Sequence, residues 1–87
     1  MMMSASEAAK RAAEHVTAMT GRTAESVVGI ERAGEDGWRV CVEVVETHRI
    51  PDSADILAIY DTEVDADGEL VSYRRVRRYP RGRVERD

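Results

Sequence analysis

The chain has one cysteine, two prolines and no phenylalanine among its 87 residues. A lone thiol, Cys41, cannot close an intramolecular disulfide, and without a second soft ligand it does not make a zinc site. No apolar run approaches the roughly 18–20 residues of a membrane span. The opening Met-Met-Met-Ser-Ala-Ser-Glu has no basic flank followed by an apolar stretch, which is the pattern of a secretory signal. Neither GxxxxGK[ST] nor GxGxxG is present, so there is no phosphate-cradling loop of either kind. These absences point to a soluble cytoplasmic chain with no membrane contact, cofactor or metal.

The length supports a single small domain, since a chain of this size removes only about 60% of its unfolded surface from water. Hydrophobic residues make up 43% and charged residues 34%, and the excess of charge implies a thin core under a large polar surface. The net charge of −4 conceals a segregation. Residues 1–73 carry a balance of −9, whereas residues 74–87 hold seven arginines against Glu85 and Asp87, a balance of +5. Such asymmetry points to an acidic partner surface, whether protein, nucleic acid or a neighbouring copy, or to a solvated fringe offsetting the acidic body. The basic residues here are all arginine, whose planar fork suits paired contacts with carboxylate or phosphate.

Periodicity predicts one helix followed by four strands. Ser4 or Ser6 caps a run starting near Glu7, with Ala8, Ala12, Val16 and Met19 at helical spacing and Thr20-Gly21 as the stop. Strands are expected over 25–33, 38–47, 54–64 and 69–79. The second shows the clearest alternation, and its adjacent Val44-Val45 implies a bulge or a change of face. Gly34-Glu35-Asp36-Gly37 and Asp65-Ala66-Asp67-Gly68 read as tight turns, with glycine supplying positive φ. Arg49-Ile50-Pro51-Asp52-Ser53 is the longer link, and Pro51 bars a continued ladder. The expected fold class is α+β: an N-terminal helix packed on one face of a four-stranded antiparallel sheet. The domain is expected over 7–80, between a flexible N-terminus at 1–6 and an arginine-rich flexible tail at 81–87.

Catalytic constellations are scarce. Glu63-x-Asp65-x-Asp67-Gly68 has the look of a calcium loop, but the twelfth position, where the closing carboxylate belongs, is Arg74. Cys41 and His48 sit seven positions apart on or beyond one strand with no orienting third group, so a half-buried strand cysteine is the better reading. His15, mid-helix beside Glu14, reads as a surface or boundary residue. The unusual segment is Tyr73-Arg74-Arg75-Val76-Arg77-Arg78-Tyr79. Strict alternation places Tyr73, Arg75, Arg77 and Tyr79 on one face and Arg74, Val76 and Arg78 on the other. Its arginines can bridge to Asp61, Glu63 and Asp65 of the preceding strand, or meet a partner.

Trp38-Arg39-Val40-Cys41-Val42-Glu43-Val44-Val45-Glu46, Arg49-Ile50-Pro51-Asp52, Asp65-Ala66-Asp67-Gly68-Glu69-Leu70 and Tyr73 to Tyr79 together resemble the gas vesicle protein O family over roughly residues 7–83. The resemblance implies an accessory protein needed for making gas vesicles, and it implies no enzymatic activity. It also implies a setting in which a small, very apolar wall subunit must be kept from aggregating. The leading expectation is therefore a non-enzymatic assembly factor contacting other gas vesicle proteins through Tyr73, Arg74, Arg75, Arg77, Arg78 and Tyr79. On that reading, replacing Arg75 and Arg77 with glutamate removes function and spares the fold. The alternative is a nucleic-acid-binding regulator of gas vesicle genes, which the acidic body and a pI near 5.2 oppose. Monomer and dimer are not distinguished.

Overall fold

In the computed structural model, residues 3–47, 50 and 55–80 are described. One helix, α1 (Ala5–Thr20), is followed by β1 (Thr23–Ala33), β2 (Gly37–Thr47), β3 (Ile56–Val64) and β4 (Leu70–Pro80). The strands form one antiparallel sheet in the order β1-β2-β3-β4, a simple meander. This is the α+β arrangement expected from the sequence. The link at 51–54, His48, Arg49 and the tail at 81–87 lie outside the described residues, and with them any meeting of Cys41 and His48.

Local chemistry sets the ends of α1. Ser4 is the N-cap, its hydroxyl accepting from the Glu7 amide at 3.2 Å. Gly21 closes the other end at φ 73°, its amide donating to the Thr17 carbonyl at 2.9 Å. Ala8, Ala12 and Val16 are buried and form the contact stripe. Their small side chains let the helix lie close on the sheet, against Val40, Val42 and Val44 of β2 and Ala58, Tyr60 and Val64 of β3. Burial of each such valine contributes about 1.5–3 kcal/mol. Thr62 shares this face and its hydroxyl donates to the Val40 carbonyl at 2.7 Å, so its burial leaves no polar atom unpaired.

The helix is also tied at its flanks. The Trp38 indole N–H donates to the Met3 carbonyl at 3.1 Å. His15 Nε2 lies 2.7 Å from the Gly68 carbonyl, so this residue pins the β3–β4 turn to α1. The contacts of α1 run mainly to β1, β2 and β3, leaving β4 largely beyond its cover.

Glycine has two different roles in these turns. Gly68 and Gly34 take positive φ, 82° and 66°, as the sequence predicts. Gly37 does not have a positive φ. A Cβ there would meet the Val64 carbonyl oxygen at 2.7 Å and the Ala33 carbonyl oxygen at 3.0 Å. Glycine at this position permits close passage of backbone past backbone, which local turn chemistry does not reveal.

Five residues interrupt the ladders: Glu25 and Val28 in β1, Glu46 in β2, and Val71 and Val76 in β4. The bulge near Val44-Val45 thus falls on Glu46, and Val44 and Val45 keep ordinary alternation. Four of the five lie on the two edge strands, where bulges disrupt pairing and discourage edge-to-edge association.

Candidate partner-binding strand

β4 is an edge strand holding Arg74, Arg75, Arg77 and Arg78. The Val76 bulge breaks the alternation expected from the sequence. Arg75 lies opposite Tyr60 and Arg77 opposite Ile59, with Val76 as the extra residue. Tyr73, Arg75 and Arg78 therefore share the helix side of the sheet with Thr62, Tyr60 and Ala58. Arg74, Arg77 and Tyr79 share the open side with Asp61, Ile59 and Leu57. The two predicted rows are each split, because one inserted residue inverts the face of everything after it.

On the helix side, two arginines converge on one carboxylate. Arg75 Nη1 is 2.8 Å from Glu46 Oε2, and Arg78 Nε is 2.5 Å from Glu46 Oε1. The Arg22 guanidinium donates to the Glu46 backbone carbonyl. The Glu46 side chain is only 6% exposed, while those of Arg75 and Arg78 are 49% and 56% exposed. Burial pushes the Glu46 carboxyl up, but the hydrogen bond from Arg75 and the charges of Arg75, Arg78 and Arg22 outweigh it. The net effect holds the group below the usual glutamate range. Glu46 becomes visible as a partner only once the β2 bulge turns it beneath these arginines.

Tyr73 packs beside Tyr60 with ring centroids 6.1 Å apart and keeps about a third of its surface exposed. On the open side, the Tyr79 hydroxyl donates to Glu43 Oε2, and the Arg77 guanidinium lies 5.3 Å from the Tyr79 ring centroid. Arg74 stands opposite Asp61 in register. With Arg39, Glu63 and Ser72 it borders a shallow polar depression of about 280 Å³. Arg39 spans Glu31 at 3.5 Å and Glu63 at 3.9 Å.

Several cross-strand partners expected from the sequence serve elsewhere. Asp65 Oδ1 accepts from the amides of Asp67 and Glu69 at 2.9 and 3.0 Å, so this carboxylate organises the turn. Asp61 Oδ1 accepts from the Cys41 thiol at 3.8 Å. Burial first, then the Asp61 charge and hydrogen bond, push the Cys41 thiol up. A thiol so placed is disfavoured as thiolate and makes a poor nucleophile. Among the described residues, no three His, Cys, Asp or Glu side chains are grouped to hold a metal ion. No helix among them is long and apolar enough to cross a membrane.

The arrangement suits recognition. Among the described residues no strand pairs with the outer edge of β4, which offers backbone groups, guanidinium groups on both faces and the exposed side chains of Val71, Tyr73 and Val76. Arg75 and Arg78 do double duty, holding the end of β2 while half their surface remains open.

Comparison with known proteins gives a consistent result. The family model described as "Gas vesicle synthesis protein GvpO" matches residues 1–85. Gas vesicle protein O of Streptomyces sp. (strain CB03234) is 57% identical over 68 residues, covering 78% of this chain and 52% of that protein. Gas vesicle protein O of Haloferax mediterranei is 37% identical over 82 residues, covering 94% of this chain and 59% of that protein. Gas vesicle protein O1 of Halobacterium salinarum is 33% identical over 82 residues, covering 94% of this chain and 68% of that protein. The chain thus spans 52% to 68% of the length of these relatives. No solved structure matches it significantly.

Proposed function

Because this chain belongs to the gas vesicle synthesis protein GvpO family, we propose that it acts in the cytoplasm as an accessory factor in gas vesicle formation. It works by protein contacts with other gas vesicle proteins and performs no chemical step. The observation that carries this reading is the position of β4. This strand is an edge, lies largely beyond the cover of α1, and concentrates arginine on a chain that is otherwise acidic. Tyr73, Arg74, Arg75, Arg77, Arg78 and Tyr79 form the contact strand, with Arg74 and Arg77 as its open-face charges. A nucleophilic role for the only thiol is disfavoured by its raised pKa.

A nucleic-acid reading uses the same arginines, and the Arg77–Tyr79 pair is the kind of platform on which a base can stack. Against it, Glu46 already neutralises part of the charge on the helix side, and Asp61, Glu63 and Glu43 front the open side. Those carboxylates repel phosphate and tolerate a carboxylate-bearing protein only where an arginine intervenes.

The decisive experiment is a tagged pull-down from cells expressing the gas vesicle gene set, with and without nuclease, for the wild type and an Arg74→Glu/Arg77→Glu variant. Recovery of gas vesicle proteins that survives nuclease and is lost in the variant is the expected result. Recovery that vanishes with nuclease replaces this reading with the nucleic-acid one.

A further inference from the structure

Resting on that reading, we propose that β4 recognises an extended segment of its partner in which acidic and apolar residues alternate, added to the sheet as a fifth strand.

The edge itself limits how such a segment can dock. Bulges at Val71 and Val76 leave one regular stretch between them, Ser72 to Arg75. In an antiparallel edge, alternate residues turn both their N–H and C=O outward, so two of these four offer backbone pairing. The contact is therefore short, and side chains must supply the selectivity. Side-chain chemistry differs between the two faces of this stretch. On the open side stand Ser72 and Arg74, with Arg77 beyond the bulge. On the helix side stand Tyr73, beside Tyr60, and Arg75, held by Glu46, on a strand that lies largely beyond the cover of α1. Val71 and Val76, at the two ends, are 57% and 49% exposed.

An incoming strand has period-two side chains, so one of its rows faces Ser72, Arg74 and Arg77, and the other faces Tyr73 and an Arg75 whose charge Glu46 already offsets. Carboxylates fit the first row and apolar side chains the second. The arginines also explain why a second copy is disfavoured on this edge: β4 against β4 sets like charges opposite one another. The Glu46 contact strengthens the assignment, because Arg75 is held toward the helix side and Arg74 is left as the cation of the regular stretch.

The test uses the whole chain and three labelled eight-residue peptides, read by fluorescence anisotropy. One alternates glutamate with valine, one has the same composition in two blocks, and one is the alternating peptide N-methylated at every second amide. The alternating peptide is expected to bind at least tenfold more tightly than the block peptide. N-methylation on the pairing edge should abolish binding, as should Arg74→Glu/Arg77→Glu. An Arg74→Gln/Arg77→Gln variant, which adds no new charge, should weaken it and keep the circular dichroism spectrum. Equal binding of the block peptide, or indifference to N-methylation, overturns strand addition. Displacement of the alternating peptide by an oligothymidylate that binds more tightly assigns the strand to nucleic acid, and displacement by self-association in sedimentation assigns it to a second copy; either overturns the proposal. A pull-down that retains gas vesicle proteins while the alternating peptide fails to bind overturns this inference alone and leaves the assembly reading standing.

Discussion

Arg75 Nη1 lies 2.8 Å from Glu46 Oε2, joining the outer strand to the bulged end of β2 across the intervening strand. Arg78 closes on the other oxygen of the same carboxylate. Two bulges make this contact: the one at Glu46 turns that side chain, and the one at Val76 brings Arg75 and Arg78 to the same face. The contact ties Arg75 and Arg78 to the body of the sheet, so it links the fold to the proposed interface.

The first prediction concerns acid stability. The Glu46 carboxyl is held below its unfolded value, which is about 4.3. Its contribution is therefore present above that pH and is lost as pH falls through the lower folded value. Urea midpoints followed from pH 7 to pH 3 should decline on the acid side in the wild type. Glu46→Gln should start lower at pH 7, decline less, and approach the wild-type curve at the acid end. Parallel curves would mean that the carboxylate charge is not what holds β4 in place.

The second prediction separates two glycines of one turn. Gly34→Ala meets no atom within 4 Å and suffers only from its φ of 66°, a cost of about 1 kcal/mol. Gly37→Ala places a methyl against backbone carbonyls that cannot rotate away, and this should cost about 1–3 kcal/mol. Chemical denaturation of the two variants side by side decides the order.

These glycines also indicate how much was legible in the sequence. The helix caps, the alternation of β2 and the Asp65 turn depend on residues within a few positions of one another, and each was readable from local chemistry. The sheet order followed from short connections. What escaped was anything set by register. Gly37 is constrained by Val64, a residue on another strand. The face of Arg78 depends on a bulge, at Val76, that leaves no mark in the run of arginines and tyrosines. The partner of that arginine is Glu46 rather than the nearer Asp61, Glu63 or Asp65, because a one-residue slip redirects every side chain beyond it. The candidate strand was therefore identified correctly as a strand, while its division into two faces required the structure.

The third prediction concerns the thiol. Burial, and then the neighbouring Asp61 carboxylate, keep Cys41 protonated above the ordinary thiol range of about 8.5. Alkylation by iodoacetamide at pH 8, followed by mass spectrometry, should be several-fold slower than for a free cysteine. Asp61→Asn should speed it by removing the charge and leaving burial in place. A wild-type rate matching free cysteine would show an accessible thiolate and reopen a nucleophilic role.

The last prediction divides the arginines by function. Pairing Arg75→Glu with Arg77→Glu, the substitution that strict alternation recommends, sets a carboxylate against buried Glu46 and should lower the denaturation midpoint. Any loss of vesicles in that variant would then confound folding with contact. Arg74→Glu/Arg77→Glu changes two open-face side chains and leaves the Glu46 contact intact. It should keep the wild-type circular dichroism spectrum and melting temperature while vesicle formation, counted by electron microscopy of complemented cells, is lost. Arg78→Gln should lower the melting temperature, because it removes one of the two arginine contacts to Glu46. If the open-face pair can be reversed in charge without loss of vesicles, β4 is not the contact strand, and its arginines serve only to hold the sheet together through Glu46.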